Sequence, residues 1–140
     1  MNDLVTMLTR HEGLRLKPYK DSVGKLTIGV GRNLDDVGIS NDEARLLLTN
    51  DIIRTQADLD RLLPWWNNLD GIRRAVLTDM GFNMGVAGLC TFTQTLDAVQ
   101  NGRYVEAADH MLHSKWAAQV GPRATELAAM MRTGQWPQEV

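Results

Sequence analysis

Cysteine is nearly absent from this sequence. Cys90 is the single one in 140 residues, so no internal disulfide can form and the chain fits a reducing compartment. A lone cysteine of this kind reads as a small buried hydrophobe. An excess of positive charge is missing too. With 15 Lys and Arg against 17 Asp and Glu, the formal net charge is -2 and the pI is near 5.9. No global basic field draws in nucleic acid, and the chain has little electrostatic help in approaching an acidic polymer. The opening MNDLVTMLTRHEG has no cationic stretch followed by a long apolar run, so it predicts neither a cleavable signal nor a membrane anchor. Internal repeats, low-complexity tracts and linkers rich in Ser, Pro or Gly are lacking as well. What remains is an ordinary globular balance, 44% apolar and 23% charged. That length makes one domain able to bury a core.

The informative stretch is HEGLRLKPYKDSVGKLTIGVGR, residues 11–32. A helix is expected over 3–11, capped by Asn2 or Asp3, with Leu4, Val5, Leu8 and Met7 as its apolar face. Gly13 is its natural stop. Glu12 then sits at the C-terminal end, where the partial negative charge of the backbone disfavours a carboxylate, and burial would add to that. Residues 14–20 and 25–31 alternate as strands, joined by the turn-forming Asp21-Ser22-Val23-Gly24. Pro18 marks the first strand as an edge, and Gly29 and Gly31 permit a bend or a close backbone approach. The GVG run lacks the third glycine and the βαβ setting of a phosphate loop. Two carboxylates carried by different local structures suit glycosidic cleavage, in which one is held protonated and the other ionised.

Downstream the chain reads as a helical body. Ser40-Asn41-Asp42-Glu43 is a capping box that opens a helix over 41–62, with a stripe of Leu46, Leu47, Ile52, Ile53, Leu59 and Leu62. A short turn begins at Pro64, with one of Trp65 and Trp66 in the core. Asp70 caps a helix over 71–84, and Thr91 or Thr93 caps another that ends at Asn101-Gly102. Helices over 104–113, 114–119 and 122–131 are divided at Ser114 and at Gly121-Pro122. His110 and His113 share a helix face, but no Cys or carboxylate cluster completes a metal set. Trp116 and Trp136 are expected in the core, and Arg73-Arg74 on a solvated face.

The run Glu12-Gly13, Arg15, Tyr19, Asp21, Gly24, Thr27-Ile28-Gly29-Val30-Gly31 resembles the signature of the phage T4-type lysozymes, glycoside hydrolase family 24. The pattern is E-G-x-R, then Y-x-D, then G-x-x-T-I-G-x-G. The likeness continues through Asp42-Glu43-Ala44, Arg73-Arg74-Ala75, Phe82-Asn83-Met84-Gly85, Lys115-Trp116 and Arg132-Thr133-Gly134-Gln135-Trp136, and so covers nearly the whole chain. It implies an α+β, mainly helical, lysozyme-like fold treated as a single domain over residues 1–140. A small catalytic lobe over about 12–60, with a short antiparallel sheet, is expected to join a helical lobe over about 61–140 through the long helix, with helix 3–11 packed on the latter. It implies Glu12 as general acid, Asp21 as second catalytic carboxylate and Thr27 as the hydroxyl that helps hold the attacking water. Asn33, Phe82, Asn83, Thr95 and His110 match substrate-binding positions. The family usually inverts at the anomeric carbon, so direct attack by water is expected. Arg32 stands where many relatives carry His, and a pair with Asp51 is the expected consequence.

The expected substrate is therefore a peptidoglycan glycan strand, cut between N-acetylmuramic acid and N-acetylglucosamine. No cofactor or metal is implied, and neither nucleic acid nor membrane insertion is expected. A monomer is expected to accumulate in the host cytoplasm, to leave by a holin-dependent route and to act on the wall in the periplasm, causing lysis. A lytic transglycosylase would have no use for a water-holding Asp21 and Thr27. An inactive wall-binding relative would be expected to lose Glu12 first.

Overall fold

The computed structural model describes residues 3–138. It has a small antiparallel sheet and a majority of helix, an α+β arrangement. The chain forms two compact units, divided after Leu47. That division falls inside the long helix rather than near residue 60, and the N-terminal helix is grouped with the first unit.

In the first unit, α1 spans Leu4–Glu12. The Asp3 side chain caps it by accepting the Thr6 N–H at 2.7 Å. Asn2, the other expected cap, lies outside the described residues. Gly13 ends the helix at φ 76° and donates its N–H to Thr9 O at 2.8 Å. Three strands follow in the order β1 (Arg15–Lys20), β2 (Leu26–Gly29), β3 (Arg32–Asn33). β1 is an edge, and its pairing with β2 shifts register between Arg15 and Tyr19, the stretch that holds Pro18. A proline has no N–H for the ladder, so the slip falls where the sequence cannot pair. β3 was not foreseen. The chain turns after Gly29 instead of running straight through 31, and both Gly29 and Gly31 sit at φ 70°.

The capping box forms as read. The Ser40 N–H donates to Glu43 Oε1 at 2.9 Å and the Glu43 N–H to Ser40 Oγ at 3.1 Å. It opens α2, Asn41–Leu62. Arg32 does not use Asp51. Its guanidinium grips Glu43 at 2.8 and 2.7 Å and also donates to Gly38 O at 3.0 Å, while Asp51 is taken by Arg54 one turn along its own helix. A planar fork finds both oxygens of the capping glutamate already fixed beside it. With that bond and the Ser40 N–H directed at it, the Glu43 carboxyl is held down at about 2.

The second unit holds the core. After a 3-10 turn over Pro64–Asn68 come α3 (Gly71–Met84), α4 (Val86–Leu89), α5 (Thr93–Gln100), α6 (Tyr104–Leu112), α7 (Lys115–Val120) and α8 (Pro122–Thr133). Leu59, Trp66, Val76, Leu77, Met80, Leu89, Val99, Met111 and Met131 are fully buried. Trp66 is the core tryptophan of its pair, its indole N–H bonded to Asp60 at 2.7 Å. Four expectations fail here. The α2 stripe finds no full cover before Leu59, the one buried residue of that helix. Trp136 is 64% exposed, because Gly134 ends α8 in the left-handed region and takes the chain off the helical face. Arg73 is not solvated: it donates to Met131 O and Arg132 O, the last carbonyls of α8, and stacks 3.6 Å from the Tyr104 ring centre. Those carbonyls have no partner inside their own helix, and Arg73 supplies one. Arg74 likewise lies over Trp66. Finally, neither Thr91 nor Thr93 caps α5. The cap position is Phe92, without a side-chain bond, and the Thr91 hydroxyl donates to Gly88 O instead.

Candidate active site

Glu12 is the last residue of α1, and its carboxylate reaches the backbone between β2 and β3. A Cβ added to Gly31 would lie 2.7 Å from Glu12 Oε2 and 3.0 Å from its Cδ. Only a glycine lets this carboxylate lie so close to the main chain. Glu12 is exposed, so the burial expected of it is not found.

Asp21 and Thr27 converge on the backbone of Lys25. Asp21 Oδ1 accepts the N–H of Val23 at 3.0 Å and of Lys25 at 2.9 Å, which fixes its rotamer across the β1–β2 turn. Lys25 O in turn accepts the Asp21 N–H at 2.9 Å and the Thr27 hydroxyl at 2.8 Å. Thr27, on β2 opposite Tyr19 and Asn33, is 3% exposed. Its hydroxyl proton is spent on Lys25, so towards anything else the oxygen is an acceptor. The other Asp21 oxygen has no partner among the described residues.

The substrate-binding candidates separate. Asn33 sits on β3 opposite Thr27, but its amide is engaged with Asp36, accepting the backbone N–H at 3.0 Å and donating to the carboxylate at 2.9 Å. Phe82 is 43% exposed and borders a cavity of about 470 Å³ with Thr78, Asp79, Arg123 and Trp136. Asn83 accepts the Trp116 indole N–H at 2.8 Å. Thr95 and His110 line one cavity of about 380 Å³ together with His113. Two functional details escaped the sequence reading, namely the Gly31–Glu12 approach and the place of His113. The i, i+3 spacing of the histidines signalled the second, and Gly31, read as permitting a close approach, signalled the first without naming Glu12 as its partner.

The fold defines a lysozyme-like α+β protein. The phage lysozyme family matches residues 9–132, and the chain belongs to that family. It is 28% identical to "Probable T4-type lysozyme 2" of Dictyostelium discoideum, over 96% of each chain. It is 30% identical to "Endolysin" of Acyrthosiphon pisum secondary endosymbiont phage 1, over 94% of this chain and 89% of that one. It also matches "Pre-baseplate central spike protein Gp5" of Enterobacteria phage T4 at 29%, over 94% of this chain but 28% of that protein. The activity class is thus that of a lysozyme or endolysin, a glycosidase acting on cell-wall peptidoglycan. Among the described residues no helix is long and apolar enough to cross a membrane.

Proposed function

We propose that the chain, working as one lysozyme domain, is an endolysin that hydrolyses the β-1,4 bond between N-acetylmuramic acid and N-acetylglucosamine with inversion, leading to host lysis. Glu12 protonates the leaving glycosidic oxygen. Asp21 and Thr27 hold the water that attacks the opposite face of the sugar, Asp21 as the base that takes its proton. The observation that carries this reading is the shared anchorage of Asp21 and Thr27 on Lys25, which leaves two acceptors for a water. A transglycosylase closes the sugar on its own hydroxyl and gains nothing from such a pair.

Phe82, Asn83, Thr95, His110 and Asn33 bind the glycan strand in this account. No metal or cofactor enters it. The enzyme acts as a monomer, accumulates in the host cytoplasm and reaches the periplasm by a holin-dependent route. The test is Glu12→Gln, which keeps shape and removes the acid. It should abolish clearing of purified peptidoglycan while leaving the circular dichroism spectrum and melting temperature nearly unchanged. Substantial residual cleavage by a folded variant would remove Glu12 from the acid role.

A further inference from the structure

The β2–β3 ladder ends irregularly beside Thr27. Thr27 pairs with Asn33, and one step further the Leu34 N–H donates to Leu26 O at 2.7 Å. In a regular antiparallel pair Leu34 O would take the Leu26 N–H in return. That carbonyl is engaged elsewhere. After Asn33 the chain curls into a single turn, in which the Val37 N–H donates to Asn33 O at 3.0 Å and the Gly38 N–H to Leu34 O at 3.1 Å. A side chain fills the gap: Asp35 Oδ2 accepts the Leu26 N–H at 2.7 Å. The ladder is thus completed by a carboxylate in place of a main-chain carbonyl. The same turn also reaches Lys25, whose Nζ donates to Asp36 Oδ1 at 3.2 Å. That ion pair is solvated and adds little by itself. The charge-assisted bond from Asp35 to a backbone N–H is the stronger hold.

What Asp35 grips gives the bond its meaning. The Leu26 N–H and the Lys25 carbonyl are opposite edges of one peptide plane, and that plane is rigid. Lys25 O is the acceptor that receives the Thr27 hydroxyl at 2.8 Å and the Asp21 N–H at 2.9 Å. Fixing the N–H edge on Asp35 therefore fixes the direction of the carbonyl edge. The Thr27 oxygen faces the site as an acceptor only while its proton stays on that carbonyl. A plane free to rock would let the hydroxyl turn and present a donor instead.

We propose that Asp35 is a positioning residue for the hydrolytic water. It holds the Lys25–Leu26 peptide plane, and through that plane it sets the Thr27 hydroxyl and the Asp21 main chain, without itself touching substrate or water. The inference rests on the reading of Asp21 and Thr27 above and adds the group that keeps them in place. Asp35 is exposed on its turn, so replacing it opens no hole in a core.

The experiment measures kcat and KM on soluble, uncross-linked glycan strands for Asp35→Ala, Asp35→Asn, Thr27→Ala and the double variant Asp35→Ala/Thr27→Ala. Asp42→Ala, which removes a carboxylate whose side chain is 95% exposed on the same unit, is the control for charge. Asp35→Ala should lose about tenfold in kcat with KM little changed, a fraction of the on the order of 10²-fold that a misplacement of about 1 Å can cost. Asp35→Asn should recover most of that loss, because its amide oxygen accepts the same N–H. The double variant should lose less than the product of the two single losses, as expected when one residue acts through the other. Asp42→Ala should keep the full rate. An undiminished kcat in Asp35→Ala, an Asp35→Asn as slow as Asp35→Ala, losses that multiply fully, or an equal loss in Asp42→Ala would each overturn the inference. Thr27→Ala separates the two claims. If it is slowed while Asp35→Ala is not, the positioning role alone falls; if it keeps the full rate, the water-holding reading falls and the inference with it.

Discussion

Replacing Gly31 with alanine tests the local design of the acid directly, provided that it is compared with the same change at Gly29. Both glycines sit at φ 70°, a backbone region in which an alanine at either site suffers strain of about 1–2 kcal/mol. Part of that is offset because alanine lowers the entropy of the unfolded chain by about 0.4–1 kcal/mol. The two sites differ in what the new methyl meets. At Gly29 nothing lies within 4 Å, whereas at Gly31 Glu12 Oε2 would be 2.7 Å away. Ordinary contact begins near 3.4 Å, so the carboxylate must retreat by about 0.7 Å. A flexible side-chain end can yield at small cost to stability. Function is less forgiving, since a misplacement of about 1 Å in a reacting group can cost on the order of 10²-fold. Gly31→Ala should therefore lose about 10- to 100-fold in peptidoglycan clearing, measured by turbidity, while its melting temperature matches that of Gly29→Ala. Gly29→Ala should keep most of its activity. Equal activities in the two variants would refute the claim that Gly31 exists to seat Glu12.

Two further perturbations follow from the same structure. Glu43 is held at about 2 in the folded chain against an ordinary value of 4.5, chiefly by the Arg32 bond and then by the Ser40 N–H. Its folded form thus releases a proton more readily than its unfolded form, so the bond contributes stability above about pH 4.5 and that contribution drains away as the pH falls towards 2. Glu43→Gln should flatten the acid limb of the denaturation curve over that interval, and an unchanged limb would contradict the assignment. Arg73, whose side chain is 13% exposed, carries the α8 carbonyls, Asp70 and the Tyr104 ring together. Arg73→Met keeps the stem but loses the donors, and should cost about 2–4 kcal/mol in urea unfolding; a loss under about 1 kcal/mol would show that water serves those carbonyls equally well.

Much of the fold was legible because its punctuation is local. Ser40 with Glu43, Asp70, Ser114 and Gly121-Pro122 each set a boundary through bonds made within a few residues, and the helices they bound fall close to where the sequence put them. Pro18 announced an irregular edge for the same reason. The misreadings concern partners distant in sequence or choices between neighbours. Arg73 looks like surface until α8 arrives 58 residues later with unpaired carbonyls. Arg32 had two plausible carboxylates, and the one fixed by the capping box won. Thr91 has the chemistry of a cap but spends its hydroxyl on Gly88 O, a choice set by the one-turn helix before it that the sequence did not announce. For the proposed site, the motif singles out Glu12, Asp21 and Thr27, while the packing of Glu12 on Gly31 depends on how α1 returns to the sheet. Phe82 lines a different cavity from Thr95 and His110, a separation that no residue pattern encodes.

The central claim is hydrolysis by a water held on Asp21 and Thr27, and the most direct test is mass spectrometry of the fragments that the protein releases from purified peptidoglycan. The account predicts fragments ending in a reducing N-acetylmuramic acid. Fragments ending in the anhydro sugar, one water lighter, would contradict it and leave Asp21 and Thr27 without the role given to them.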